Sequence, residues 1–99
     1  MPSYKNPSVD MLFKVISNLK TAAECRNFFE DLCTIKELQD MAQRFETAIL
    51  LSEGQNYQKI SESVGISTAT ISRVNRCLNY GTGGYASAIK SLKDRGDEK

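Results

Sequence analysis

Residues 57–76, YQKISESVGISTATISRVNR, contain two short helical patterns that meet at one glycine, and no other stretch restricts the fold so tightly. On the first helix Tyr57, Ile60 and Val64 are spaced to pack inward, while Gln58, Lys59, Glu62 and Ser63 face out. Gly65 stands where the turn needs a positive φ, which glycine adopts at least cost. Ile66 plugs the angle between the helices, and Ser67 or Thr68 caps the second helix by accepting a backbone N–H. Ala69 and Ile71 fit a close crossing, and Val74 and Leu78 continue the buried face. This is the pattern of a helix-turn-helix.

Such a pair can lay its second helix in the major groove of double-stranded DNA. Short hydroxyl side chains at the start of that helix allow close approach to phosphates and base edges, and threonine methyls can touch thymine methyls. Arginines one turn further on can reach phosphate oxygens or a guanine. The predicted contact set is Gln58, Lys59, Ser67, Thr68, Ala69, Thr70, Ser72, Arg73 and Arg76. Ile60, Val64, Ile66, Ile71 and Val74 are core positions with no function of their own. Helix-turn-helix units also serve as structural or protein-binding modules, so a part of a larger assembly without its own regulatory ligand stands as the alternative.

The rest of the chain reads as helices, with no strand pattern. Residues 1–6, with Pro2, Tyr4 and Lys5, form an N-terminal arm. Pro7-Ser8 starts a helix whose stripe is Met11, Leu12, Val15, Ile16 and Leu19. Thr21 with Glu24 is a capping box opening a second, with Cys25, Phe28, Phe29 and Leu32 inward. Thr34 with Glu37 opens a third, running to about Glu53 and ended by Gly54. Its stripe of Leu38, Met41, Phe45, Ala48 and Ile49 is widened by Leu50 and Leu51, too apolar for a surface helix of a small monomer. Such a helix is central, packed on its neighbours or on a second subunit, so residues 7–54 are read as the helices that a dimer would use, and 57–80 as the helix-turn-helix. After the break at Gly81–Gly84 comes a last helix over 85–93, with Ala88, Ile89 and Leu92 inward, and a polar tail over 94–99. The expectation is one all-α domain of about six helices over residues 1–99.

Charge distribution fits a DNA partner better than net charge, which is only +1. Residues 1–20 carry three lysines against Asp10, residues 21–54 are acidic, and residues 55–99 are basic again. A protein built this way turns only its ends toward phosphate. Enzymatic chemistry finds little support: there is no histidine to act as acid or base, and Gly81–Gly84 lacks the lysine and strand context of a phosphate-binding loop. Cys25, Cys33 and Cys77 show no CxxC spacing, which leaves no metal site and suits reduced thiols in the cytoplasm. Neither a signal-peptide run nor a membrane-span length of apolar residues is present, so no membrane partner is expected.

From about Pro7 to Leu92 the sequence resembles the Trp-repressor-like superfamily, specifically its YerC/YecD group. The resemblance is carried by Leu32-Cys-Thr-Ile-Lys-Glu-Leu38, Gln43-Arg44, Glu53-Gly54 and Thr68-Ala-Thr-Ile-Ser-Arg73. It implies an intertwined all-helical homodimer whose N-terminal helices wrap around the partner. Paired reading heads would enter successive major grooves of a palindromic operator, with half-site centres about 34 Å apart. It also implies a transcriptional regulator, a repressor acting by covering promoter DNA. The best-known member takes L-tryptophan as corepressor between two arginines, which Arg44 and Arg73 match. Two positions depart: a glycine that leaves room for the ligand is Val74 here, and a serine near its polar end is Cys77. A valine fills such a slot and a thiol is a poorer hydrogen-bond partner than a hydroxyl. Arg44, Arg73, Val74 and Cys77 therefore bound a possible ligand pocket to which tryptophan is not carried over. No cofactor is expected, and any small-molecule effector is unidentified.

Overall fold

The computed structural model describes residues 6–94, so the arm's Pro2, Tyr4 and Lys5 and the tail beyond Asp94 lie outside the described residues. Among the described residues the fold is all-α, with six α-helices: α1 (Pro7–Ser17), α2 (Ala22–Leu32), α3 (Ile35–Ser52), α4 (Tyr57–Ile60), α5 (Thr68–Tyr80) and α6 (Gly84–Asp94). A π-helical turn, Ser61–Gly65, follows α4.

Local chemistry accounts for where these helices begin and end. Asn6 caps α1, its Oδ1 accepting the Val9 N–H at 3.0 Å, and Pro7 follows where no donor is needed. Thr21 Oγ1 accepts the Glu24 N–H at 3.0 Å, and the Glu24 carboxylate reaches back to the Lys20 N–H at 2.8 Å, one residue beyond the usual partner. At α3 the box closes completely, Thr34 and Glu37 each accepting the other's backbone N–H at 2.9 Å. That helix ends one residue earlier than expected. Gly54 N–H then donates to Leu51 O and Gln55 N–H to Leu50 O, which satisfies the last carbonyls in a Schellman pattern.

The chain forms two compact units, Met1–Leu38 and Gln39–Lys99. In the first, neither α1 nor α2 has a buried residue. Leu12, Ile16, Leu19, Cys25, Phe28 and Phe29 are half-buried, and the two phenylalanine rings meet edge-on at 5.6 Å. Met11, Val15 and Leu32, expected inward, are exposed, as is Phe13. Two helices of 11 residues each can turn an apolar stripe inward without enclosing it.

The second unit has a core. Ala48 of α3, Val74 of α5 and Ile89 of α6 are buried together, with Phe45, Ile49, Leu51, Leu78 and Tyr85 packed on them. Phe45 and Tyr85 stack at 6.4 Å with their planes 19° apart. Ile60 and Ile71 are wholly buried. Ile89 takes the buried register of α6, so Ala88, expected inward, is exposed, and Leu92 is half-buried. Thr47 is wholly buried, and its hydroxyl has no hydrogen-bond partner among the described residues.

Candidate nucleic-acid interface

The helix-turn-helix lies entirely within the second unit. Asn56 caps α4 by accepting the Lys59 N–H at 2.9 Å, which sets the frame in which Ile60 points inward while Gln58 and Lys59 stay exposed. The first helix departs from the sequence reading at its end. After four residues of α-helix the chain widens into the π turn and reaches Gly65 with φ of 80°. Val64 and Ile66, expected as core, are half-buried on this turn.

Two side chains hold the turn. Ser61 Oγ donates to the Ile66 carbonyl at 2.7 Å, and Gln43 Nε2, from α3, donates to the Val64 carbonyl at 3.2 Å. Ser67 is the cap of α5, accepting the Thr70 N–H at 3.1 Å. Of the two capping candidates the structure selects Ser67, and Thr68 becomes the first helical residue.

Ile71 and Val74 anchor α5 in the interior, and the rest of its surface divides around them. Ser67, Thr68, Ala69, Ser72, Arg73 and Arg76 are exposed, as are Gln58 and Lys59. Thr70 is half-buried, and its hydroxyl accepts a hydrogen bond from Ser67 Oγ at 3.0 Å. Lys59, Arg73 and Arg76 make no ion pair among the described residues. The N-terminal end of α5 thus offers short side chains at the positive end of the helix dipole, and Arg73 and Arg76 follow further along the helix, a combination that attracts phosphate.

Beside α5 lies a cavity of about 510 Å³. Arg44, Arg73, Val74 and Cys77 all line it, so residues separated by up to thirty-three positions are brought together. Gln43, Thr70 and Tyr85 also line it, and none of these was assigned to a pocket from sequence. Gln43 and Tyr85 arrive from other helices, and no local pattern links them to α5. Cys77 is exposed and Cys25 and Cys33 are half-buried, less enclosed than thiols packed in a core. Among the described residues no group of three or more Cys, Asp or Glu could hold a metal ion, and no helix is long and apolar enough to cross a membrane.

Comparison with known proteins supplies a frame for this geometry. Residues 7–93 match the family model described as Trp repressor protein. The chain is 51% identical over 90 residues to a Bacillus subtilis (strain 168) protein described as uncharacterized protein YerC, covering 91% of this chain and 86% of that one. A crystal structure of a TrpR-like protein from Eubacterium eligens ATCC 27750 superposes with a TM-score of 0.86 at 49% identity, covering 90% of this chain and 92% of that one. A putative Trp repressor from Staphylococcus aureus gives a TM-score of 0.85 at 38% identity, with 91% and 90% covered.

Proposed function

The chain belongs to the Trp repressor family, a family of regulators and not of enzymes, and on that footing we propose that it is a sequence-specific transcriptional repressor acting as a homodimer. It works in the cytoplasm, reads a palindromic operator through the major groove, and represses by covering promoter DNA. The observation that carries this reading is the outward face of α5. Thr68, Ala69, Ser72 and Arg76 are exposed beyond a capped N-terminus, and the arginine has no ion-pair partner among the described residues.

Support for a dimer comes from the first unit. Met11 is 65% and Phe13 58% exposed, and Ile35 at the start of α3 is 76% exposed. Fully burying one such side chain is worth about 1.5–3 kcal/mol, so a second copy covering this surface would recover a large part of the stability of a small domain. Two-fold pairing then sets two reading helices roughly one DNA turn apart.

Arg44 and Arg73, which the family resemblance would set about tryptophan, both line the cavity, whereas Val74, at its wall, packs into the core beside Ala48 and Ile89. Operator reading accordingly proceeds without tryptophan. Selection of bound sequences from random duplex DNA, with and without tryptophan, tests both statements. A palindrome enriched equally in the two arms is the expected result. Enrichment of no sequence by folded protein at low salt would sink the DNA reading, and enrichment only with tryptophan would overturn the account of Val74.

A further inference from the structure

We propose that Gln43, a residue of α3 outside the helix-turn-helix, is a positioning residue for DNA recognition: it locks the π turn that aims α5. The inference rests on the DNA-reading role proposed above. A π turn winds its backbone wider than an α-helix, and its last carbonyls lack the regular i→i+4 donors that continue a helix. Here the turn ends at once in Gly65, after which Ile66 is extended, so the Val64 carbonyl has no further turn of helix to donate to it. The Gln43 amide supplies that donor from twenty-one residues away, at 3.2 Å.

The geometry makes this bond different from its neighbour. Ser61 Oγ, on the Ile66 carbonyl, closes the turn upon itself and fixes only its internal shape. Gln43 ties the turn to α3, whose Ala48 and Thr47 are wholly buried and which is therefore a fixed support. Ser67, the cap of α5, stands three residues beyond Val64, with only Gly65 and Ile66 between them. Holding Val64 thus limits the angle at which α5 leaves the turn. Without the brace the fold persists on Ile60, Ile71 and Val74, but the reading helix must be aligned at the moment of binding, at a cost in affinity.

A substitution of Gln43→Met keeps side-chain length and net charge while removing the donor. Its affinity for the selected operator is expected to fall about threefold to tenfold, the equivalent of one net hydrogen bond. Binding to unrelated duplex, which depends on phosphate contacts, is expected to stay within about twofold. A Gln43→Met protein that binds operator as the wild type does would overturn the proposal, as would an equal loss on both DNAs. Nuclear magnetic resonance supplies a readout independent of DNA and of the variant's folding. In the wild-type protein the Gln43 side-chain amide protons should exchange with solvent more slowly than those of exposed Gln55, and equal exchange would overturn the brace. A wild type that selects no duplex at all would sink the DNA reading itself, while slow Gln43 exchange would still establish the brace.

Discussion

Ser67 and Thr70 are joined twice: the Ser67 hydroxyl accepts the Thr70 N–H at 3.1 Å and donates to the Thr70 hydroxyl at 3.0 Å. One serine therefore satisfies an orphan donor of α5 and orients the first inward-leaning hydroxyl of the reading helix. Ser67→Ala is expected to cost about 1 kcal/mol, lowering the midpoint of thermal unfolding by roughly 4–8 °C at fixed protein concentration. Ser72→Ala, on the exposed face, should leave the midpoint unchanged within about 0.5 kcal/mol. Scanning calorimetry on the pair checks this; equal midpoints for the two variants would contradict the capping role.

Arg76 has no ion-pair partner among the described residues, so its charge is available to phosphate. Replacing it with alanine should weaken binding to all duplexes alike and reduce the slope of log affinity against log salt by about 1. A loss confined to the selected operator, with the slope unchanged, would instead make Arg76 a reader of bases.

Gly65 and Gly81 should fail differently on substitution by alanine. At Gly65, with φ of 80°, nothing lies within 4 Å of an added Cβ, so the cost is the left-handed backbone alone, about 1–2 kcal/mol. At Gly81 φ is negative, but the Cβ would stand 2.4 Å from the Cys77 carbonyl oxygen, which also accepts the Gly81 N–H. Relief there requires the end of α5 to shift. Urea unfolding should give the smaller change for Gly65→Ala, and amide exchange should rise at residues 77–81 only in Gly81→Ala.

Thr47 carries a cost that a methyl group would remove. Its hydroxyl is wholly buried without a partner among the described residues, a situation worth roughly 1–3 kcal/mol of destabilisation. Thr47→Val should raise the unfolding midpoint without altering DNA affinity. A lowered midpoint would show that the hydroxyl makes a contact in the assembled protein.

Capping residues made much of this architecture legible in advance. Thr34 and Glu37 announce α3 three residues apart, and Gly54 and Gly65 mark their turns through backbone conformations other residues adopt at a cost. The π turn had no such signal, because residues 57–65 have an ordinary helical spacing of apolar positions and the widening is held by contacts that close only in three dimensions. Gln43 on the Val64 carbonyl is such a contact, and Tyr85 stacking on Phe45 across forty residues is equally without a local signal elsewhere in the unit. Burial was legible where Ile60, Ile71 and Ile89 meet a core within their own unit. It was not legible for Met11, Val15 and Leu32, whose stripe is periodic but uncovered in the single chain. Nor did it hold for Ala88, next to the residue that takes the inward register.

The division of α5 also shapes how such a protein can change. Ile71 and Val74 hold the helix in the interior, while Thr68, Ala69, Ser72 and Arg76 are exposed to solvent. Substitutions at those four positions are nearly neutral for folding. Thr70 and Arg73, which also line the cavity, lack that freedom. Descendants of this chain can therefore drift to new operators through Thr68, Ala69 and Ser72 while Arg76 keeps its hold on phosphate, whereas a change at Thr70 or Arg73 alters the DNA surface and the cavity wall together.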